Sequence, residues 1–592
     1  MLSSSDKPFR CFTWILVLLL FLGGTFLIAG AFIPYDLVKS KLDAFAASGD
    51  ASIFSESWYH IISGRLKLFG GAALLGAILL YLARKRINIY FRDVIISAKL
   101  LSGKLKQRSL KLAFQRERVH YVTLLLLLLL GFMVRLYYLK VPLKFDEAGS
   151  FLCNALRPAL AAASFYATPN NHILHSLLMR CAYLIFGGAP WAFRLPAFIS
   201  GVLIIPASYA VVRRLVNGNA ALIAAGLAAS SSILVEYSVN ARGYTLMVFL
   251  FLCVLYVASH LQKSNNRFLW VLLALFAALG LYTVPVMLYP LSIVFCWLFF
   301  SIVLEKDNPR RFSRLKELFG SLLLIALITF ILYLPVLILS GWEALAANPY
   351  VLPRSWVALS RLWPNTVLAV VCQLMRDIPT ALQLILAAAA LVSVIFYRKL
   401  NLLLLSAVIA PLPLLLIQRA ASPPRTWIFW AFFFFIAAAA GLDYLLEQSR
   451  IKNLRYKGPV CAIIVVALSA MLTIQLLGSK EIYYSNETGS LRDAPAIVET
   501  VAPLLQEGDC ILATAPSDAI LEYYLREKGL SSSYLWDVSY HCKRVFVVVN
   551  ESYSQVLYEL LKVWGLAEGD YHPPEIRGIY EEATLYELNR IW

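Results

Sequence analysis

The chain has 592 residues, of which 60% are hydrophobic and only 15% are charged. Crossing a bilayer takes about 20 consecutive apolar residues, and runs of that length recur along most of the chain, which excludes an ordinary soluble enzyme. The net charge of +18 would suggest nucleic-acid binding in a soluble protein. In a membrane protein we assign it to cytoplasmic loops rich in Lys and Arg, and we predict no nucleic-acid partner.

The apolar runs predict thirteen transmembrane helices, and we interpret the first as a retained anchor because it is long for a signal peptide. With the N-terminus inside, the basic loops fall on the cytoplasmic side, as the positive-inside rule requires. The loop 84–120 alone holds eleven Lys or Arg residues. The predicted spans lie near residues 12–34, 67–83, 121–140, 191–212, 218–236, 244–261, 268–282, 284–304, 317–340, 380–397, 400–418, 425–446 and 458–478.

Two further apolar stretches are predicted to be interfacial helices. Residues 172–188 are helical in pattern, but at about 1.5 Å per residue they are short for a roughly 30 Å hydrocarbon core. A span here would also place every later basic loop outside, so we predict a helix in the outer half of the membrane or along its surface. Residues 151–163 carry apolar positions at helical spacing and predict a second helix of this kind.

The C-terminal residues 479–592 are more polar than the rest of the chain. Predicted strands with helical stretches between them indicate a small α/β domain outside the cytoplasm; the strands lie at 510–515, 544–550 and 583–590. We therefore divide the chain into a two-span extension with a basic loop (1–120), a transmembrane core (121–478) and this domain (479–592).

An acidic pair, Asp146-Glu147, follows directly after the third predicted span. The simplest interpretation is that Asp146 caps a helix beginning at Glu147, which would be favourable in the first turn. A carboxylate at the outer mouth of a helical bundle can also take a proton from an incoming hydroxyl. If that hydroxyl attacks a sugar carried on a lipid phosphate, the leaving group needs cationic stabilisation, for which arginine is suited.

Arginines near the outer ends of spans are the candidates for that role. Arg419 and Arg425 bracket the sequence AASPP at a predicted outer turn. They either bind a lipid phosphate or extend to lipid headgroups as anchoring side chains.

These features, followed by GGAPWAFRLPAFISGVL at 187–203, resemble the GT-C membrane glycosyltransferases. The nearest group is glycosyltransferase family 39 and its bacterial relatives, which include protein O-mannosyltransferases, the aminoarabinose transferase of lipid A (ArnT) and Rgt-type galacturonosyltransferases. The pattern W-A-x-R-L-P at 191–196 is the more specific signal. The resemblance implies a mainly α, polytopic membrane protein with the GT-C fold.

The resemblance also implies roles for individual residues. Asp146 matches the family's first outer-loop acid, the presumed base or acceptor-orienting group, and Glu147 matches the second acid. The segment Pro169-Asn170-Asn171-His172 resembles the family's stretch before the next helix, so Asn171 and His172 are expected to bind substrate.

A second outer-loop acid is frequent in the family, in forms similar to Ser238–Tyr244 of this chain. Asn240 stands where that acid is expected and cannot act as a base, although Glu236, one turn earlier, is an alternative. The resemblance places Asn240, Arg242 and Tyr244 in the substrate-binding set. The departure at Asn240 argues against a two-carboxylate or metal-dependent site.

Metal and disulfide chemistry stay open at this point. His172 and His175 lie three residues apart and would form a metal site with Asp146, but we predict no metal and no other cofactor, with a divalent metal as the alternative. The nine cysteines contain no CxxC pair and predict no framework of disulfides. Cys510 and Cys542 each begin a predicted strand, and either a bridge or two buried thiols fits.

The resulting expectation is a transferase of a bacterial inner membrane, with its active site and C-terminal domain facing the periplasm. Its partners would be a polyprenyl-phosphate-linked sugar donor, a lipid, glycan or protein acceptor, and membrane lipids. One alternative is a transporter or flippase of lipid-linked sugars, but transporters place ionisable groups near the membrane midplane, whereas charges here lie at span ends. The other alternative is a non-catalytic envelope assembly protein.

Overall fold

The protein is described by a computed structural model covering residues 7–43, 55–107, 117–166, 168–305, 309–346, 352–420, 422–448, 457–537 and 542–591. It is mainly helical, which confirms the predicted fold class. Eleven helices in these ranges are long and apolar enough to cross a membrane. They are Phe12–Gly30, Glu56–Gly103, Arg118–Tyr138, Pro190–Leu215, Tyr244–Leu261, Pro285–Val303, Arg311–Leu339, Trp356–Leu374, Arg398–Gln418, Trp430–Gln448 and Gly458–Ser479.

The other helices are shorter. A bent pair, counted as one span, raises the number of candidate spans to twelve; it consists of Gly218–Ser230 and Ser232–Ser238. The remaining helices are Tyr35–Asp43, Phe145–Ser150, Ala159–Ser164, Ile173–Phe186, Arg267–Thr283, Glu343–Ala346, Thr380–Phe396, Glu481–Tyr484, Ala494–Val501, Asp518–Glu527, Ser533–Trp536 and Leu557–Val563.

Each of the thirteen predicted spans coincides with helix. By length and composition, however, only eleven or twelve helices of the described ranges qualify as spans. Arg267–Thr283 and Thr380–Phe396 have only 17 residues each. The predicted outer loop 341–379 contains the apolar helix Trp356–Leu374, which the sequence reading missed because Arg361 and Pro364 interrupt its apolar pattern.

The predicted interfacial helix at 151–163 is wrong as a single element. A π-helical turn covers Phe151–Ala155, and a separate helix covers Ala159–Ser164. Pro158 is extended, with φ −53° and ψ 147°, and precedes the second helix as its N-cap residue. Proline has no backbone N–H to continue the first segment, so the chain turns there. The other predicted helix is present as Ile173–Phe186.

A buried arginine holds the bend between Gly218–Ser230 and Ser232–Ser238, where the two helix axes differ by 57°. A break inside an apolar bundle frees backbone carbonyl groups that must find donors within the protein. The fully buried Arg135 donates to the carbonyl groups of Ala228 (3.2 Å) and Ala229 (3.0 Å). The bend redirects the chain toward the end of the bundle that carries Asp146.

The C-terminal region contains a four-stranded sheet in the order β1-β2-β4-β3. Strands β1 and β2 are parallel, whereas β4 is antiparallel to both of its neighbours. Three strands match the predicted ones, and β3 was not predicted because its residues are largely exposed. The strands are β1 Cys510–Leu512, β2 Arg544–Asn550, β3 Glu575–Ile579 and β4 Ala583–Asn589.

A disulfide joins Cys510 to Cys542, which decides between the two alternatives that the sequence left open for these residues. Cys510 is the first residue of β1, and Cys542 lies two residues before β2. Because β1 and β2 are neighbours in the sheet, the bridge ties adjacent chain segments together.

The C-terminal region packs directly on the segment that carries the acidic pair. The N–H groups of Phe145 and Asp146 donate to the carbonyl groups of Gly489 (3.1 Å) and Thr488 (3.0 Å), and Lys144 and Ser490 form an isolated antiparallel bridge. Apolar side chains on both sides share one buried cluster. These contacts fix the backbone at Asp146.

Candidate active site

The helix that carries the acidic pair begins at Phe145, and its N-cap residue is Lys144. The N–H group of Lys144 donates to Glu147 Oε2 at 3.1 Å. The interpretation of Asp146 as a helix cap is therefore wrong, since the helix starts one residue earlier and Glu147 takes part in the capping. The Asp146 carboxylate is left for other contacts.

The Asp146 carboxylate lies between two guanidinium groups. Its Oδ2 is 3.7 Å from Arg242 Nη1 and 3.6 Å from Arg425 Nη2. Both distances exceed hydrogen-bonding reach, and Oδ2 is buried without a hydrogen-bond partner. Buried polar atoms are nearly always paired, so this oxygen is placed to accept a hydrogen bond from a bound molecule.

Arg425 is held in place by hydrogen bonds to two other chain segments. Its Nε donates to the Tyr244 hydroxyl at 3.2 Å, and its Nη1 donates to the backbone carbonyl of Glu487 at 3.2 Å. These contacts orient the guanidinium plane and aim Nη2 at Asp146. The arrangement suits an anion bound beside the carboxylate, because the fixed guanidinium directs its charged Nη2 donor toward that position.

His172 and Arg242 form the opposite side of the cluster. The Gly243 N–H donates to His172 Nδ1 at 2.8 Å, so in the neutral ring the proton is on Nε2, which lies 3.5 Å from Arg242 Nη2. Burial, together with the positive charge of Arg242, holds the pKa of the His172 imidazole well below its usual range. A neutral ring with an Nε2–H donor is suited to binding rather than to proton transfer.

Gly243 is required by this packing. A Cβ atom at that position would lie 2.7 Å from Thr283 Cγ2 and 3.1 Å from the His172 ring nitrogen Nδ1.

The side chain of Arg242 itself is buried, and its Nε has no hydrogen-bond partner. This is a second buried polar atom beside Asp146 with unused hydrogen-bonding capacity.

Glu147, the other acid of the pair, is fully buried and fully engaged. Arg194 Nε donates to its Oε1 and Arg194 Nη2 to its Oε2, both at 2.8 Å. The N–H group of Ala241 also donates to Oε1 at 2.7 Å. Arg194 is the arginine of the W-A-x-R-L-P pattern, so that pattern supplies a clamp that ties Glu147 to the turn before Tyr244.

Asn171 and Asn240, like Glu147 and Asp146, differ in how fully their polar atoms are hydrogen bonded. Asn171 Nδ2 donates to the carbonyl groups of Ala162 (2.9 Å) and Phe165 (3.0 Å), so its amide holds the neighbouring short helix. Asn240 Nδ2 donates to Thr488 Oγ1 at 3.3 Å, while its Oδ1 is buried without a partner. The predicted substrate-binding role fits Asn240 better than Asn171.

Glu487 belongs to this cluster, although the sequence reading did not select it. Its Oε2 lies 3.4 Å from Arg425 Nη1 and accepts from the Tyr237 hydroxyl at 3.5 Å, and Gln373 donates to its Oε1. Burial raises the pKa of its carboxyl group, although Arg425 opposes the shift. Its sequence context, Asn486–Ser490, gives no local signal, because its partners lie about 60 to 250 residues away along the chain.

Comparisons with known proteins bear on the fold and on part of the chain. Residues 169–342 match the family described as dolichyl-phosphate-mannose-protein mannosyltransferase. The structure of ArnT from Cupriavidus metallidurans in the apo state aligns with a TM-score of 0.53 at 14% identity, over 78% of this chain and 97% of that one. The likeness to ArnT shows that the chain has the GT-C fold, and residues 169–342 are similar to the mannosyltransferase family.

A second structure of the same ArnT, bound to undecaprenyl phosphate, aligns with a TM-score of 0.51 at the same identity and coverage. A search of curated proteins finds no match to the sequence. The family match covers His172, Arg194 and Arg242 and begins after Asp146. The place of Asp146 within the cluster therefore rests on the structure and not on the family match.

The two arginines predicted to bind a lipid phosphate are separated in the GT-C structure. Arg425 lies in the Asp146 cluster, whereas the guanidinium carbon of Arg419 lies 5.5 Å from the ring centroid of Trp356. Arg419 adopts a left-handed conformation, with φ 48°. In the parts of the chain that the structure describes, no hydrogen bond or ion pair joins Arg419 to Asp146.

Glu236, the alternative second acid, is paired with Arg376 and accepts a hydrogen bond from Ser485 Oγ at 2.6 Å. These contacts give it a structural role.

Over the described ranges, no group of three His, Cys, Asp or Glu side chains is arranged to hold a metal ion. Of the two histidines considered as ligands, His172 has its Nδ1 occupied by Gly243. Metal independence stays a prediction.

Proposed function

We propose that this protein transfers a sugar from a polyprenyl-phosphate donor to a hydroxyl-bearing acceptor outside the cytoplasm, with inversion at the anomeric carbon. The acceptor class is an envelope lipid, a polysaccharide or a protein. The observation that carries the proposal is the Asp146 carboxylate, whose buried Oδ2 lies between Arg242 and Arg425 and has no hydrogen-bond partner.

Asp146 is the general base in this proposal. Its Oδ2 accepts the proton of the acceptor hydroxyl while the hydroxyl oxygen forms a bond to the anomeric carbon. The bond from that carbon to the phosphate oxygen breaks in the same step, and its electron pair leaves with the polyprenyl phosphate. A positioned base typically contributes about 10²- to 10⁴-fold to such a reaction.

Arg425 and Arg242 stabilise the departing phosphate. The leaving oxygen gains negative charge as the bond breaks, and preorganised cationic donors lower the barrier for that step. Arg425 is fixed by Tyr244 and Glu487, so little reorganisation is needed. The neutral His172 contributes an Nε2–H donor at the edge of the same site.

Two observations support an active site outside the cytoplasm. The Cys510–Cys542 disulfide lies in the region that packs on Asp146, and disulfides persist mainly in oxidising compartments. The basic segment 84–120, whose residues 84–107 continue the helix Glu56–Gln107 instead of forming the predicted loop, also favours a cytoplasmic location for the other end of the bundle. Together they favour the periplasmic face of a bacterial inner membrane, where a polyprenyl-phosphate donor presents its sugar.

The proposal is tested by removing the gene and analysing lipid-linked sugars and envelope glycans by mass spectrometry. We expect one glycan to lose a sugar residue and the matching polyprenyl-phosphate sugar to accumulate. Wild-type protein and the exposed-site control Glu481→Gln should restore the glycan, and Asp146→Asn should not. Restoration by Asp146→Asn would favour the transporter or assembly alternatives, neither of which uses a base.

A further inference from the structure

A second polar site lies where the helices Arg118–Tyr138 and Lys457–Ser479 end, at the end of the bundle that carries Asp146. It is a cavity of about 400 Å³, which we name the headgroup cavity. It shares no residue with the Asp146 cluster. Its lining consists of Tyr137, Tyr138, Lys140, Val141, Leu477, Lys480, Tyr483 and Tyr484.

The headgroup cavity is cationic. Lys140 and Lys480 are both exposed, and within the described ranges neither ammonium group has an acidic partner. Arg492 lies beside the lining, with its guanidinium carbon 4.5 Å from the ring centroid of Tyr484, but it is paired with Glu582 and Glu581 and is not counted among the cavity's charges. Two ammonium groups without acidic partners in the described ranges, facing one cavity, are suited to a phosphate group.

The surroundings of the headgroup cavity match the boundary between bilayer and water. Tyr137 is 68% exposed and Leu477 is 37% exposed, although both lie at the ends of membrane-spanning helices. Tyrosine is typical of this boundary, where the ring lies in the acyl region and the hydroxyl group at headgroup level. An occupant with a phosphate and an adjoining apolar part would contact both the lysines and Leu477.

We propose that the headgroup cavity binds the phosphate of an anionic membrane lipid. The two chain segments that line it continue directly into the paired segments that position the catalytic residues. Val141 is followed by Lys144 and Asp146, and Tyr484 is followed by Glu487 and Ser490, which forms the bridge with Lys144. A lipid held by Lys140 and Lys480 would connect the two segments and stabilise their pairing.

Binding is measured by titrating the full-length protein in non-ionic detergent by calorimetry with dioctanoyl phosphatidylglycerol, dioctanoyl phosphatidylcholine and inorganic phosphate. We expect phosphatidylglycerol to bind most tightly. The double variant Lys140→Gln/Lys480→Gln should bind it about 30-fold more weakly, the effect of removing two lysines near a lipid phosphate. Lys140→Arg/Lys480→Arg keeps both charges and should retain binding.

The matched control is Lys85→Gln/Lys399→Gln, which removes two exposed lysines from segments predicted to be cytoplasmic. An equal loss in this control would overturn the proposal, since general attraction to anionic lipid would then explain the binding. Inorganic phosphate binding as tightly as phosphatidylglycerol would overturn the assignment to a lipid. Equal binding of phosphatidylglycerol and phosphatidylcholine would overturn the proposal, since the tyrosines would then act only as ordinary interfacial anchors.

Two single variants keep the test decisive if the double variant does not fold. Lys140→Gln and Lys480→Gln should each weaken phosphatidylglycerol binding about fivefold. No change in either single variant would contradict the proposal. Because the readout is binding, it is independent of sugar transfer, and failure here leaves the proposed function unaffected.

Discussion

Asp146 and Glu147 are neighbours in the chain, and each faces arginine, but their surroundings are built in opposite ways. Glu147 accepts two hydrogen bonds from Arg194 at 2.8 Å and further bonds from the backbone. Asp146 faces Arg242 and Arg425 at 3.7 and 3.6 Å, and its Oδ2 has no hydrogen-bond partner. One cluster is complete, and the other retains capacity for a ligand.

This difference supports a structural role for Glu147 and the catalytic role proposed for Asp146. A buried polar atom without a partner costs about 1–3 kcal/mol, and the Asp146 cluster contains three, Asp146 Oδ2, Arg242 Nε and Asn240 Oδ1. Unused capacity concentrated in one place is expected at functional sites. The Glu147 cluster has the features of a clamp that fixes the site's backbone.

The largest expected effect is the loss of catalysis in Asp146→Asn. Asparagine keeps the shape of the side chain but removes its charge and basicity, so the rate of sugar transfer should fall by about two to four orders of magnitude. Expression and thermal stability should barely change. The measurement is transfer from a polyprenyl-phosphate donor by purified protein, and wild-type activity in this variant would remove the contrast with Glu147.

Glu147→Ala should instead act on folding. Removing one partner of a buried ion pair leaves Arg194 as an uncompensated buried charge, which typically costs about 3–5 kcal/mol. We expect a large drop in the melting temperature, measured by thermal unfolding. The folded yield, measured by size-exclusion chromatography in detergent, should also fall. If Glu147→Ala folds normally but does not transfer sugar, then Glu147 is catalytic and the comparison above is reversed.

Arg425→Lys tests the phosphate-binding role. Lysine keeps the charge but loses the fixed fork of donors, and losing a charge-assisted hydrogen bond of about 1.5–3 kcal/mol corresponds to a roughly 10- to 100-fold lower kcat/KM. Arg419→Lys is the matched control, because Arg419 contacts Trp356 outside the cluster. Equal losses in both variants would contradict the separate roles assigned to these two arginines.

The smallest effect concerns Glu487 and pH. Burial raises the pKa of its carboxyl group, so as the pH falls this group becomes protonated, and releases Arg425, earlier than an ordinary carboxyl group would. Glu487→Gln cannot titrate, so the acidic limb of its pH–rate profile should move to lower pH, with only a few-fold loss at neutral pH. Glu481→Gln should leave the profile unchanged, and an unshifted limb in Glu487→Gln would exclude coupling to Arg425.

The His172 imidazole should contribute no titration to the same profile. Its pKa is held well below the usual histidine range by burial and by Arg242, so the ring stays neutral throughout the range in which the protein is assayed. His172→Gln keeps a hydrogen-bonding group and should lower activity without changing the shape of the profile. A limb near the ordinary histidine pKa that disappears in this variant would contradict the neutral ring.

The sequence by itself determined the membrane class, most of the helices and most of the strands. These features depend on local composition and periodicity, since a run of apolar residues is helical in a membrane wherever it packs. It also selected Asp146, Arg242, Tyr244 and Arg425, because charges and aromatic residues at span ends are visible in a linear reading. Resemblance to a family then gave these positions their expected roles.

Only the tertiary structure decided which of these residues act together. Glu147 became a clamp because Arg194 reaches it from 47 residues away, and Glu487 entered the site because its segment pairs with the strand-like residues before Asp146. Arg419 and Arg425, six residues apart, were placed in different surroundings by a left-handed turn. Burial and hydrogen-bond completeness depend on contacts distant in sequence, and one-dimensional spacing carries no record of them.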